Sequence, residues 1–100
     1  MKKLNYNIIA KVRFFSEKKG GRKSPTPKKI FGCPMVIKNN YYDCRLVLND
    51  IGSIKPGNDI VVPIIFLDPQ TVLPIIKKND KFELWDGGII AEGKVLKINK

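Results

Sequence analysis

The chain is divided into short runs of β-branched and aromatic residues by clusters of turn-forming residues, and no segment has the spacing of an amphipathic helix. Residues 4–16 alternate apolar and polar side chains with a period of two, which predicts a half-buried strand. Two further β-rich runs, 30–38 and 41–48, meet at Asn39-Asn40, residue types that favour a hairpin turn. The N-terminal half therefore predicts three strands.

The C-terminal half continues this pattern. Residues 60–67 are too short and too β-branched for a helix and predict a strand, in which Pro63 implies an edge position, a bulge or a backbone amide outside the ladder. Runs at 82–85 and 89–98 flank the tight-turn residues 86–88 and predict another hairpin. Six or seven short antiparallel strands in 100 residues predict a small barrel or a sandwich.

We favour an all-β barrel, because closure removes the sheet edges that a sequence so rich in isoleucine and valine could not safely expose. A chain of 100 residues is long enough for one hydrophobic core and too short for two. We therefore expect a single β-barrel domain over residues 1–100, with a basic loop at about 17–29.

Few residue types in this chain can perform catalysis or hold a metal. The sequence has no histidine, which excludes Ser-His-Asp and Cys-His catalysis and histidine-ligated metals. Cys33 and Cys44 are too few for a four-ligand zinc site, and we expect them to be reduced core residues. The carboxylates are spread singly, mostly at turns, and predict no acid–base pair. We therefore expect no enzyme, no catalytic residue, no cofactor and no metal.

The sequence also predicts no association with a membrane. No run approaches the length of about 18 apolar residues that a spanning helix needs. The N-terminal lysines resemble the start of a signal peptide, but Lys11 and Arg13 interrupt the apolar stretch that would have to follow. A cytoplasmic location is the expectation.

Positive charge is concentrated at the start of the chain. The formal net charge is +10, and the first thirty residues carry ten lysine or arginine residues against one acidic residue. Eight of these ten lie between residues 11 and 29, around a Gly/Ser/Pro segment that cannot hold a regular element. Such a patch predicts a polyanionic partner, either RNA or an acidic protein surface.

Residues 20–24, Gly-Gly-Arg-Lys-Ser, are the part of this loop best suited to bind phosphate. Glycine lets the backbone approach a phosphate, arginine offers a planar fork and serine a hydroxyl. The other interpretation is a turn whose cations only keep the domain soluble. The glycine spacing of a P-loop is absent. The residues predicted to bind nucleic acid or an acidic partner are Lys18, Lys19, Gly20, Gly21, Arg22, Lys23, Ser24, Lys28 and Lys29.

Four motifs along the chain occur in the order of a known family. They are Gly-Gly-Arg-x-Ser-Pro at 20–25, Pro-Gly-Asn-Asp at 56–59, Lys-Phe before Asp-Gly-Gly within 81–88, and Ile-Ala-Glu-Gly-Lys-Val at 90–95. Over about residues 8–98 the chain resembles the C-terminal β-barrel domain, domain III, of translation elongation factor Tu. The resemblance implies a closed six-stranded antiparallel barrel of Greek-key type without a nucleotide. It also places Arg22 and Ser24 at positions of the loop that lies beside tRNA.

Two functions from different classes follow. In the first, a stand-alone copy of this domain is a non-catalytic module that binds tRNA-like or ribosomal RNA through the basic loop. In the second, it is a protein-binding mimic of the elongation-factor domain, such as an immunity or regulatory protein, and occupies a translation-associated or toxin protein. That second function needs an exposed apolar contact, for which Trp85 and Ile89 are the candidates. The other aromatic side chains lie in strand-like patterns and are mostly expected in the core.

Overall fold

A computed structural model describes residues 6–15, 29–49, 51–52 and 57–99. These residues form strands and one short helix, in chain order β1 (Ile8–Phe14), β2 (Ile30–Ile37), β3 (Asn40–Val47), β4 (Asp59–Phe66), α1 (Pro69–Val72), β5 (Lys81–Trp85) and β6 (Ile89–Ile98). Each predicted strand is present, and the bounds agree to within one residue except for β1, which is shorter than the predicted 4–16.

The strands close into a barrel in the order β1-β4-β3-β2-β5-β6, and every neighbouring pair is antiparallel. β2, β3 and β4 are consecutive neighbours, and β1 lies beside β4, which is a Greek-key arrangement. The prediction of a closed six-stranded antiparallel barrel is confirmed. Closure leaves none of these apolar strands as a free edge.

The hairpin between β2 and β3 turns one residue earlier than the sequence predicted. Its turn residues are Lys38 and Asn39, with φ angles of 50° and 68°, and Asn40 already pairs with Ile37 as the first residue of β3. A two-residue turn of this kind requires positive φ at both central positions, which asparagine tolerates well. Here a lysine occupies the first of them, so residue type alone placed the turn wrongly.

Pro63 is accommodated where one ladder ends. It lies opposite Ile9 in the pairing of β4 with β1, whereas the pairing of β4 with β3 stops at Leu46 and Ile64. Because proline has no backbone N–H to donate, it is tolerated at the residue just beyond the last paired position. Pro63 therefore lies within the ladder with β1 and just beyond the end of the ladder with β3.

The helix α1 is the element that the sequence did not predict. It is a single turn with Pro69 at its start, and it buries the side chain of Val72 against the core. The hydroxyl of Thr71 donates to the carboxylate of Asp68 at 2.6 Å. Four residues are too few to show a periodic pattern, so this helix could not be predicted from hydrophobic periodicity.

Among the described helical residues, none belongs to a helix with the length and apolar character that crossing a bilayer requires.

Every strand contributes fully buried side chains to one continuous core. Those with no exposed area include Val12, Met35, Leu46, Ile64, Leu84 and Val95, one from each strand. Both cysteines belong to this core, as predicted, and they form no disulfide. The Cys44 thiol donates to the carbonyl of Cys33 at 3.2 Å. Hydrogen bonding with Cys33 and burial raise the pKa of the Cys44 thiol well above its usual value, so this thiol stays protonated and unreactive.

Candidate nucleic-acid interface

Nearly all of the predicted basic loop lies outside the described residues. Of its predicted binding residues, the structure describes Lys29, which is exposed and whose carbonyl accepts a hydrogen bond from Leu48 N–H at 2.6 Å. On the other side of the loop, Phe15 N–H donates to the Ile90 carbonyl at 2.9 Å. The chain therefore enters and leaves the loop at the end of the barrel where β3 ends and β6 begins. The other predicted loop residues, Lys18, Lys19, Gly20, Gly21, Arg22, Lys23, Ser24 and Lys28, are outside the described ranges.

An open cleft lies on the outer wall of the barrel, formed by β1, β6, β5 and β2. Its volume is about 570 Å³, and ionised side chains make up most of its lining. They are Lys11, Arg13, Lys38, Asp59, Lys81, Glu83, Glu92 and Lys94. The five cations outnumber the three carboxylates, so the cleft carries net positive charge.

Three exposed lysines lie side by side across the cleft, and we call them the lysine row. Lys94 on β6 is directly opposite Lys11 on β1 on one side and directly opposite Lys81 on β5 on the other. Neighbouring strands are about 4.8 Å apart, so the row spans roughly 10 Å. Within the described part of the chain, no salt bridge involves any of the three.

The other two cations of the cleft have partners. Arg13 Nε lies 3.1 Å from Asp59 Oδ1, in an ion pair with both side chains partly exposed. Lys38 Nζ donates to the Ile75 carbonyl at 2.9 Å. The lysine row is therefore the set of cleft cations that is left to meet an external anion.

Two carboxylates occupy the row beside the lysines. Glu83 on β5 is directly opposite Glu92 on β6, and Glu92 is also opposite Arg13 on β1. The sequence predicted isolated carboxylates, and this juxtaposition depends on strand register, which spacing along the chain does not reveal. No group of three potential metal ligands occurs among the described residues. These two carboxylates can repel phosphate or accept hydrogen bonds from amino groups.

Most of the aromatic side chains lie in the core, as expected, but two of them lie on the outer wall beside the cleft. Phe14 and Phe31 are buried, but Tyr41 is 60% exposed and Trp85 is 38% exposed. Their rings meet edge to face, with centroids 6.2 Å apart. We call Tyr41 and Trp85 the aromatic pair. Ile89, the other predicted partner contact, is half-buried opposite Trp85.

No protein-family model matches this chain, and no curated protein sequence matches it significantly. The resemblance to domain III of elongation factor Tu stays a prediction from its motifs. A small barrel supports many different functions, so the residues on its surface, and not the fold, determine what it binds.

Proposed function

We propose that this chain is a non-catalytic RNA-binding module of the kind represented by domain III of elongation factor Tu. In this proposal the lysine row of the barrel wall and the cations of the basic loop bind phosphates of the RNA backbone. The observation that carries the proposal is the lysine row itself, three exposed lysines in register on three neighbouring strands.

The lysine row costs stability when nothing is bound. Like charges directly opposite each other on neighbouring strands repel, and here Lys94 faces a lysine on both sides. None of the three has a salt-bridge partner within the described ranges, although Glu83 and Glu92 occupy the next row. A bound polyanion removes this repulsion and releases the counterions that it had condensed, which favours association.

The basic loop adds further positive charge outside the described residues. β1 contributes Lys11 to the row, and the sequence that follows it carries five lysine or arginine residues and one acidic residue between 16 and 28. Cations that contact the backbone supply affinity and position without reading sequence. We therefore expect broad RNA binding that depends strongly on salt.

One observation favours the second function, a protein-binding mimic of the elongation-factor domain. Trp85 is 38% exposed and lies opposite Ile89, so the wall presents an aromatic anchor of the type that often dominates protein interfaces. In this alternative the lysines meet an acidic protein surface.

An affinity-capture experiment separates the two functions. The tagged full chain is immobilised, exposed to cell lysate with or without ribonuclease, and scored for both RNA and protein. A variant with Lys11, Lys81 and Lys94 replaced by glutamine is compared with a matched control in which Arg45, Lys77 and Lys78 are replaced. The control cations are exposed, lie outside the cleft lining, and reduce the net charge equally.

We expect the wild type and the control to retain RNA that ribonuclease removes, and the lysine-row variant to retain far less. Equal retention by the two variants would show that net charge alone attracts RNA. Capture of a stoichiometric protein that survives ribonuclease, with no RNA retained by the wild type, would support the protein-binding mimic in place of the RNA-binding function.

A further inference from the structure

The aromatic pair differs from the phenylalanine side chains that form part of the barrel core. Phe14, Phe31 and Phe82 are almost fully buried, whereas Tyr41 and Trp85 keep large exposed areas. Their edge-to-face contact holds each ring against the other, so the exposed ring faces are fixed in place before any ligand arrives. A fixed aromatic face that is open to solvent is suited to stack on a planar ligand.

The aromatic pair lies next to the cleft. Along β5 the outward side chains are Lys81, Glu83 and Trp85 in succession. Tyr41 lies directly opposite Val36, which in turn lies opposite Glu83. Since Val36 and Glu83 both line the cleft, the aromatic pair lies at its border. A strand rises about 3.3 Å per residue, so Trp85 lies roughly 13 Å from Lys81.

We infer that the aromatic pair stacks on unpaired bases, so that the RNA held at this cleft is single-stranded. This inference rests on the proposed RNA-binding function and adds the structural class of the RNA. Single strands expose the faces of their bases to aromatic side chains, whereas the bases of a duplex are stacked on one another. A cationic groove beside an aromatic platform is the combination by which single strands are bound without strict sequence preference.

The positions of the carboxylates between the lysine row and the aromatic pair agree with this arrangement. Glu83 and Glu92 lie between the lysine row and Trp85, where they repel the phosphate backbone. Within the cleft the RNA backbone is thereby held on the lysine side, and the base edges, which carry amino groups, face the carboxylates as hydrogen-bond donors. An RNA strand bound this way places its phosphates on Lys81 and Lys94 and its bases toward Trp85.

Trp85 is the single tryptophan of the chain, so its fluorescence reports directly on this site. The full chain is titrated with a single-stranded RNA of about twelve nucleotides, with a duplex of the same sequence, and with inorganic polyphosphate, which has charge and no bases. We expect the single strand to quench Trp85 and polyphosphate to bind without quenching. The duplex should bind more weakly than the single strand and leave the fluorescence unchanged.

The affinities of substituted chains for labelled RNA are measured by fluorescence anisotropy. Trp85→Ala and Tyr41→Ala should each weaken single-stranded RNA about tenfold, because they remove a stacking surface, and should leave polyphosphate affinity unchanged. Trp85→Phe keeps an aromatic face and should stay close to wild type. Because both side chains are exposed, all three variants should fold, which circular dichroism checks.

The outcomes separate this inference from the function on which it rests. If single-stranded RNA and polyphosphate both bind but Trp85 is not quenched and the alanine variants bind RNA normally, the stacking role is wrong and RNA binding stands. If neither RNA nor polyphosphate binds, both are wrong. Equal binding and equal quenching by the duplex would overturn the assignment to single strands.

Discussion

Replacing Lys11, Lys81 and Lys94 together by glutamine is expected to weaken the binding of single-stranded RNA about 100-fold at a salt concentration of about 0.1 M. Each lysine–phosphate contact on a single strand contributes about 0.7 to the slope of the logarithm of the binding constant against the logarithm of salt concentration. The loss of three contacts should therefore reduce that slope by about 2. Anisotropy of a labelled RNA, measured over a salt series, gives both quantities.

The matched control for this prediction is the variant in which Arg45, Lys77 and Lys78 are replaced by glutamine. It removes the same charge from positions outside the cleft lining, so we expect less than a threefold loss of affinity and an unchanged number of phosphate contacts. The lysine-row variant should also be at least as resistant to unfolding as the wild type, because cross-strand repulsion is relieved. A slope that falls equally in both variants would contradict the assignment of phosphate contacts to the cleft.

Gly93→Ala is expected to lower the free energy of unfolding by about 1–3 kcal/mol, an overpacking effect in the wall beneath the lysine row. Gly93 lies between Glu92 and Lys94 on β6 and pairs with Phe82 on β5. An added Cβ would overlap the Phe82 ring and lie 3.0 Å from the Lys11 carbonyl oxygen. Because Phe82 is only 3% exposed, its ring has little room to move away. Urea unfolding followed by circular dichroism measures the loss.

The cause of this loss is tested by a second substitution. Phe82→Leu shortens the side chain that the new Cβ meets, so Gly93→Ala should cost less in the Phe82→Leu background than in the wild type. Gly32→Ala is the control, since Gly32 is also within a strand and its added Cβ would meet nothing closer than 3.9 Å. We expect Gly32→Ala to change stability by less than about 0.5 kcal/mol. An equal cost for Gly93→Ala in both backgrounds would rule out the Phe82 contact as its origin.

The strands were predictable because their residues satisfy a local pattern. Residues 89–98 mix β-branched side chains with the polar residues Glu92, Lys94 and Lys97 after a tight turn, and the strand β6 has those bounds. The short helix α1 was not predictable, because Pro69–Val72 makes one turn and owes its place to the burial of Val72. The turn between β2 and β3 lies at Lys38 and Asn39 and not at Asn39 and Asn40. The strand register sets its position, and the turn preference of asparagine does not.

The lysine row shows which part of the candidate site the sequence could not provide. Alternation predicts that Lys81 and Lys94 point outward, and the tight turn at 86–88 brings them close to register. Lys11 joins them only because the barrel closes through β1 and β6, a contact between residues more than eighty positions apart. Charge in the basic loop was visible as composition, whereas charge in the cleft is a consequence of topology.

The exposure of Tyr41 was equally hidden from the sequence. Tyr41 and Tyr42 are adjacent on β3, so their side chains point to opposite faces, and the sequence does not say which face is solvent. In the structure Tyr41 is 60% exposed and Tyr42 packs against the core. The contact of Tyr41 with Trp85 then depends on β2 lying between β3 and β5.

The most direct test of the proposed RNA binding at the cleft is a footprint of lysine reactivity. The wild-type chain, alone or with saturating single-stranded RNA, is treated briefly with an acetylating reagent, and each lysine is quantified by mass spectrometry. We expect RNA to protect Lys11, Lys81 and Lys94 strongly, while Lys77 and Lys78, which are exposed outside the cleft lining, stay reactive. Unchanged reactivity of the lysine row in the RNA complex, or protection equal to that of Lys77 and Lys78, would contradict RNA binding at the cleft.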